Sequence, residues 1–186
     1  PLACGSVLRR LAARGWCRAF AQDLRTVAGD AQYAIGRPGG AEKLHKCMTL
    51  LAECKPGSLF VKLDFVNAFN TLTRQAILNS VRLRAPGLLP VARVLCGPAT
   101  LHWWYDDEGH GKRISATRGV DQGCPLSPAL FAIGLAPGLD KLRAGLRQLD
   151  PEAQVFSYLD DLHVVFEPGT CTCTAVFEMV SEIFSP

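Results

Sequence analysis

Apolar residues recur at helical spacing over residues 5–29, where Val7, Leu8, Leu11, Ala12, Phe20, Leu24 and Val27 are interleaved with arginines. A loop follows at Gly36-Arg37-Pro38-Gly39-Gly40, because glycine and proline break helical and strand periods alike. Residues 41–54 return to helical spacing and stop at Lys55-Pro56-Gly57. Ser58-Leu59-Phe60-Val61-Lys62-Leu63-Asp64 is a short β-prone run that ends on a carboxylate. Helical period resumes over residues 66–84, with Arg82 and Arg84 near the C-terminal end, where cations suit the helix dipole. Residues 101–105 and 113–117, joined by a turn-rich segment at 106–111, predict a β-hairpin. A long helical pattern covers residues 126–149, with an interruption expected at Pro137-Gly138. Strands over residues 154–158 and 162–166 flank a tight acidic turn, and residues 173–184 predict a last amphipathic helix. Long helices mixed with short, non-adjacent strands predict an α+β layer architecture.

Composition adds little that the pattern does not already carry. The 186 residues, 48% hydrophobic and 20% charged, describe one globular domain's worth of chain rather than a disordered segment. No uninterrupted apolar run approaches the roughly 18 residues a membrane span needs. A net charge of +3 is too small to point to nucleic acid. An electrostatic case would rest on local clusters such as Arg9/Arg10/Arg14/Arg18 and Lys112/Arg113/Arg118, yet from charge alone each reads first as a solvated face. Eight cysteines invite a disulfide or zinc reading that their spacing discourages. Cys171 and Cys173 are separated by one residue, Cys47 and Cys54 by six, and Cys4, Cys17, Cys96 and Cys124 stand alone. No signal-peptide pattern opens the chain, so reduced thiols in an intracellular protein are expected. The chain opens on Pro1 and stops at Ser185-Pro186 directly after a helical pattern, and it reads as an excerpt of something longer.

Two features carry chemistry. Asp64 ends an apolar strand, and Asp160-Asp161 sits between the apolar flanks Val155-Phe156-Ser157-Tyr158-Leu159 and Leu162-His163-Val164-Val165-Phe166. Ionised carboxylates beside apolar flanks are costly unless a cation neutralises them. Magnesium takes oxygen ligands from one or two carboxylates and keeps its other positions for water and phosphate. If the Asp64 strand lies beside the hairpin, three carboxylates converge at one end of a sheet. Two ions roughly 3.5–4 Å apart could then hold a triphosphate and activate a 3′-hydroxyl. An Asp-Asp pair is also simply a good turn dipeptide, so the acids alone leave both readings open.

The residues around the acids add a resemblance. Phe60-Val61-Lys62-Leu63-Asp64-Phe65-Val66-Asn67-Ala68-Phe69-Asn70-Thr71 resembles motif A of the polymerase palm as it occurs in reverse transcriptases of the non-LTR retrotransposon type. Gly119-Val120-Asp121-Gln122-Gly123-Cys124-Pro125-Leu126-Ser127-Pro128-Ala129-Leu130-Phe131 resembles motif B, and Tyr158-Leu159-Asp160-Asp161 is similar to the Y-x-D-D of motif C. Upstream, Pro1-Leu2-Ala3-Cys4-Gly5-Ser6-Val7-Leu8-Arg9-Arg10-Leu11 resembles the end of the first fingers motif. Gln32-Tyr33-Ala34 through Gly39-Gly40-Ala41-Glu42 resembles the second. Three palm motifs in this order are specific together, and the resemblance covers nearly the whole chain.

The resemblance implies a right-hand polymerase fold of which fingers and palm are present, with an antiparallel palm sheet packed on helices. It divides the chain into fingers at about 1–57, palm with motif A at 58–98, a hairpin and the start of motif B at 99–125, and palm with motif C at 126–186. A motif D lysine, a primer grip and a thumb would follow. It implies RNA-directed DNA polymerisation on an RNA template, with a DNA primer, deoxynucleoside triphosphates and two Mg2+ ions, for which Mn2+ can substitute. Asp64 and Asp160 would be the main metal ligands, with Asp161 as the third carboxylate. Backbone N–H groups of Phe65, Val66, Asn67 and Ala68 would cradle the triphosphate. Phe69 would stand under the sugar and exclude a 2′-hydroxyl, although Phe65, Ala68, Phe69, Leu72 and Ala76 also make a plain core stripe. Gln122 would contribute hydrogen bonds, and Gly123 would permit close backbone approach. Pro125 or Pro128 could equally mark the first turn of the helix near Leu126. Tyr158 would support the primer terminus. Asp121 departs from the neutral residue expected before Gln122 and adds a negative charge there. Arg37 is the nearest candidate for a triphosphate-binding cation. By the same resemblance the protein would be nuclear.

Two other readings belong beside this one. An RNA-dependent RNA polymerase would favour Gly-Asp-Asp in motif C and a small or polar residue in place of Phe69, and the sequence has neither. An inactive or repurposed nucleic-acid-binding domain would tolerate loss of the acids, and Asp64, Asp160 and Asp161 are all present.

Overall fold

The first helix starts where a hydroxyl can cap it. Ser6 accepts the Arg9 N–H at 3.3 Å, and α1 (Val7–Ala19) runs to Phe20, whose own N–H returns to Trp16 at 3.0 Å. The helical period read over residues 5–29 is therefore divided at Phe20, and α2 (Ala21–Ala28) is a separate helix. The computed structural model describes residues 6–184. Cys4, the opening residues of the first fingers-like stretch and both chain ends lie outside the described residues.

The chain folds as two compact, interleaved units that exchange at Ala21/Gln22, Val66/Asn67 and Gly134/Leu135. In the unit holding residues 67–134, α4 (Ala68–Thr71) is followed by α5 (Arg74–Arg84), a short 3-10 turn (Pro86–Leu88) and α6 (Leu89–Cys96). The single helix expected over residues 66–84 is broken. Leu72 takes ψ 127 and Thr73 becomes an N-cap, its hydroxyl accepting the Ala76 N–H at 3.3 Å. A threonine side chain offers the backbone that local alternative to helical bonding. Ile77, Val81, Leu88, Ala92 and Cys96 are buried here with Leu126, Leu130 and Phe131. The predicted hairpin is present as β2 (Thr100–Tyr105) and β3 (Gly111–Ala116), paired antiparallel.

The other unit is built on a three-stranded antiparallel sheet, ordered β1-β5-β4, from β1 (Leu59–Asp64), β4 (Gln154–Tyr158) and β5 (Asp161–Phe166). Register is Leu59 opposite Phe166 through Asp64 opposite Asp161, and Gln154 opposite Val165 through Tyr158 opposite Asp161. Side chains alternate across a sheet. Phe156 and Val165 therefore share one face, where Leu44 of α3 (Gly40–Cys54) packs with Tyr33, Met48, Leu51 and Tyr158. Val155, Leu162, Val164 and Phe166 are buried on the other face.

Between α7 (Ser127–Leu149) and α8 (Cys173–Phe184) the sequence pattern is corrected a second time. Pro137 lies inside α7, which continues through it, so the interruption expected at Pro137-Gly138 does not occur. Gly138 and Gly145 instead serve packing. A Cβ on Gly138 would lie 2.3 Å from the Phe184 ring, and one on Gly145 would lie 2.9 Å from the Met179 sulfur. Bare backbone on this stripe lets α8 lie close against α7, and the buried Leu139, Leu142 and Leu146 beside it keep the helix intact. No helix among the described residues is long and apolar enough to cross a membrane.

Candidate functional site

The acidic residues are placed by strand pairing. Asp64 closes β1, Asp161 opens β5, and the two face each other as direct cross-strand partners; Tyr158, the last residue of β4, flanks Asp161 on its other side. One row therefore crosses the sheet end as Asp64, Asp161, Tyr158. Asp160 stands next to the row, in the two-residue turn Leu159-Asp160 that joins β4 to β5. The condition set by the sequence, that the Asp64 strand lie beside the hairpin, is met.

Lys62 and His163, also cross-strand partners, lie two residues back on the same face. Lys62 Nζ contacts Asp161 Oδ1 at 2.8 Å. That hydrogen bond, then the charge of Asp161 and more weakly that of Asp64, push the Lys62 ammonium above its ordinary pKa. Burial pulls the His163 imidazole below its own, with Asp161 opposing. Asp64 is exposed, while Asp160 and Asp161 are partly so, so all three can reach solvent or a ligand.

Three carboxylates at one sheet end are a hard-oxygen donor set, the kind a divalent cation such as magnesium takes. The donor chemistry fits, though the oxygens are not gathered: among the described residues, the one group of three ligand atoms mutually within 4.8 Å is Asp106, Glu108 and His110. At the acidic row, Asp161 is turned to Lys62. The Asp106 cluster closes the tip of the β2–β3 hairpin. Asp106 Oδ1 accepts the His110 N–H at 2.6 Å and Oδ2 lies 3.4 Å from His110 Nδ1, which is turn chemistry.

The acidic turn is held from below by a residue not assigned a role at the sequence level. Leu159 has φ 56, a left-handed conformation that a side chain makes costly. Gln32, 1% exposed, accepts the Leu159 N–H on Oε1 at 2.9 Å and donates from Nε2 to Ser157 Oγ at 3.1 Å. Ser157 Oγ in turn donates to the Leu159 carbonyl at 2.8 Å. Gln32 lies in the stretch that resembles the second fingers motif, which was its one sequence signal.

The remaining expected residues are distributed between the units. Phe65 and Val66 follow β1 in the sheet unit, and the Phe65 ring packs on Phe184 with centroids 5.0 Å apart. Asn67, Ala68, Phe69, Gln122 and Gly123 belong to the other unit. There Phe69 is half-buried and stacks on the buried Phe131 at 4.4 Å and 13°. Gly119 N–H donates to Leu72 at 2.8 Å and Val120 N–H to Phe69 at 2.9 Å, so the segment leading to Gln122 is laid on the Phe69–Leu72 turn. Gly119 is the glycine this close approach requires: its φ is 69, and a Cβ would stand 2.2 Å from the Phe69 carbonyl oxygen. Gln122 is exposed and Gly123 half-buried. The extra charge of Asp121 is answered by Arg9 at 3.0 Å, and His102 Nε2 lies 3.3 Å from its other oxygen. Buried Arg74 fastens the same segment, donating to Gly119 O at 3.1 Å, to Thr100 Oγ1 at 2.9 Å and to Pro98 O. A lone arginine in a helix pattern gave no sign of that role. Arg37, the candidate phosphate cation, donates to Asp30 O at 2.9 Å and lies over the Tyr33 ring at 4.7 Å, so it braces its own loop. The seven cysteines among the described residues are free, and burial pushes the Cys96 thiol up to about 11.

Comparison with known proteins adds three findings. The family model described as reverse transcriptase (RNA-dependent DNA polymerase) matches residues 9–185. The chain is 36% identical, over 126 residues, to the retrotransposable element SLACS 132 kDa protein of Trypanosoma brucei gambiense, covering 64% of this chain and 10% of that protein. Among solved structures, apo telomerase from Candida tropicalis truncated from its C-terminal domain superposes with a TM-score of 0.62 at 14% identity, over 95% of this chain and 37% of that one. Telomerase from Candida albicans in complex with a TWJ fragment of telomeric RNA gives 0.59 at 14% identity, over 96% and 32%. The fold is the right-hand polymerase fold, with helices and antiparallel sheets as the sequence predicts. The chain spans about a tenth of the retrotransposon relative and about a third of the telomerase chains.

Proposed function

The chain belongs to the reverse transcriptase (RNA-dependent DNA polymerase) family, and from that premise we propose that it forms the catalytic core of an RNA-directed DNA polymerase of the non-LTR retrotransposon type. The reaction joins a deoxynucleotide to a DNA primer on an RNA template. The primer 3′-hydroxyl gives up its proton to water as its oxygen bonds to the α-phosphorus, the bond from that phosphorus to the bridging oxygen breaks, and pyrophosphate leaves with the electron pair.

The observation that carries this reading is the row formed by Asp64 and Asp161 across β1 and β5, with Asp160 in the adjoining turn. Divalent cations, magnesium with manganese as a substitute, would be held by Asp64, Asp160 and Asp161 and would supply positive charge to the attacking and leaving oxygens. Lys62 holds Asp161 Oδ1 at 2.8 Å, so such a cation would share that carboxylate with the ammonium or compete with it. Tyr158, next in the row, supports the primer end. Phe69 sets the preference for deoxynucleotides, and its stack on Phe131 supports that role by fixing the ring. The family resemblance assigns nucleotide contacts to Gln122 and Gly123 and to the backbone of Phe65, Val66, Asn67 and Ala68.

The test is primer extension on an RNA template by the full-length protein that carries this chain. Extension that needs a divalent cation and is lost in Asp64→Asn, with folding unchanged, is the expected result. Undiminished synthesis by that variant would remove the assignment.

A further inference from the structure

The turn that carries Asp160 is a two-residue hairpin loop whose first residue, Leu159, is one of two non-glycine residues with positive φ among those described. Such a turn is ordinarily given to glycine or asparagine, because a branched or bulky side chain there crowds its own backbone. A hairpin tip also normally leaves its polar backbone groups to water. Here both backbone groups of Leu159 are taken by the protein. Its N–H goes to Gln32 Oε1 at 2.9 Å, and its carbonyl accepts from Ser157 Oγ at 2.8 Å. Gln32 Nε2 donates to that same Ser157 Oγ at 3.1 Å, which closes a ring of hydrogen bonds around residue 159. Gln32 and Ser157 are 1% and 0% exposed, so water does not compete for these bonds.

Gln32 is itself fixed from two sides. Its Oε1 also accepts the Ala34 N–H at 3.0 Å, which sets the amide's orientation. The backbone around it is pinned to β4 by Tyr33 N–H to Ser157 O at 2.8 Å and Ser157 N–H to Ala31 O at 2.7 Å. A side chain held this firmly, with its amide oxygen on the strained residue and its amide nitrogen on the hydroxyl that holds that residue's carbonyl, does more than fill space. Residue 159 immediately precedes Asp160, so its φ and ψ set the direction in which that carboxylate leaves the sheet.

We propose that Gln32 is a positioning residue, which holds Leu159 in its left-handed conformation and thereby aims Asp160 and Asp161. This rests on the polymerase reading for its consequence in catalysis, while the clamp itself stands on the hydrogen bonds alone. Gln32→Met keeps the shape and removes the amide. In primer extension by the full-length protein it is expected to lower kcat by roughly tenfold or more, since a small misplacement of a reacting group is enough for that. KM for the incoming nucleotide and the fraction folded should stay within about twofold of wild type. A glycine adopts positive φ freely. Gln32→Met should therefore lower kcat far less when introduced into Leu159→Gly than into the wild type, whatever the activity of Leu159→Gly alone. Packing loss at position 32 would give no such relief.

Amide hydrogen exchange separates the clamp from the chemistry. In Gln32→Met the Leu159 amide should lose protection while amides of β1 and α3 keep theirs, and this is read without turnover. If Gln32→Met does not fold, Ser157→Ala decides, because it removes the hydroxyl that holds the Leu159 carbonyl; kcat should then fall several-fold. A folded Gln32→Met with unchanged kcat and unchanged Leu159 protection would overturn the proposal, as would equal losses in the wild-type and Leu159→Gly backgrounds. An inactive wild type with the predicted exchange pattern would instead sink the polymerase reading and leave the clamp standing.

Discussion

Lys62 and Asp161 are joined at 2.8 Å although neither is the other's cross-strand partner: the register sets Lys62 against His163 and Asp161 against Asp64. The lysine reaches diagonally along the strand pair to an acid that the sheet has already placed beside another acid. It is thus the resident counterion of the row, and any cation bound there competes with it. An exposed pair of this kind is weak and readily exchanged. Lys62→Met is therefore expected to lower the half-saturating concentration of divalent metal by roughly two- to fivefold. Titration of metal against primer extension, at fixed nucleotide, measures this. A half-saturation point that stays put or rises would show that Lys62 does not oppose the metal.

Removal of the acids themselves has a graded outcome. Asp64→Asn and Asp160→Asn are expected to reduce extension by about a thousandfold, on the scale seen when one charge-stabilising group is removed. Asp161→Asn should be damaging to a lesser degree, since its carboxylate already has Lys62 as a partner. Asp64 is exposed and the other two partly so, so thermal unfolding should change little in any of them. Equal, mild losses in all three would mean that the row is a solvated turn and not a metal site.

How far the sequence carried this site depends on the range of the interactions involved. Short β-prone apolar runs bounded by turn residues mark both strands of the hairpin and the strand before Asp64, because composition and flanking turns are local signals. The acids then fall at the strand ends by arithmetic. The hold on the turn was not legible, since the bond from Leu159 to Gln32 spans 127 positions and no periodicity encodes it. The break at Thr73 and the continuation of α7 through Pro137 fail in opposite ways. In one, a capping hydroxyl ends a helical period. In the other, packing of α8 on Gly138 and Gly145 outweighs a helix breaker. Gly119 was passed over in favour of Gly123 because only the folded turn shows which glycine meets the Phe69 carbonyl.

Phe69 separates two roles that its sequence position leaves together. Its ring stacks on Phe131, yet the residue is only half-buried, so part of it stays accessible. Phe69→Ala and Phe69→Val should raise ribonucleotide incorporation relative to deoxynucleotide, by roughly tenfold or more for loss of a steric exclusion. Full burial would put the stability cost of Phe→Ala at about 3–5 kcal/mol, and partial burial places this one at the low end. Competition between the two nucleotide types, with urea unfolding run in parallel, checks both. A folded variant with unaltered discrimination would leave Phe69 a packing residue alone.

Asp150 gives a prediction independent of catalysis. It follows the last turn of α7, is 2% exposed, and accepts the Glu152 N–H at 2.9 Å and the Glu167 N–H at 2.8 Å. The carboxylate thereby ties the end of α7 to the end of β5. The Glu167 N–H is the main cause that holds its pKa below the ordinary value of 3.8, with Glu152 N–H, Thr170 and Lys55 adding to it and burial opposing. A folded pKa below the unfolded one means that the unfolded chain binds more protons, so stability from this group rises with pH. It is fully present above the unfolded value of 3.8 and is lost as pH falls through the folded one. Asp150→Asn keeps the shape but turns an amide donor toward one of the two N–H groups. It should cost about 1.5–3 kcal/mol at neutral pH, the scale of a hydrogen bond to a charged group. The gap between wild type and variant in urea unfolding should hold from pH 7 down to about pH 5 and narrow below pH 4, where the wild type loses its advantage. A gap of constant size down to pH 2 would show that Asp150 stabilises the junction by shape and not by charge.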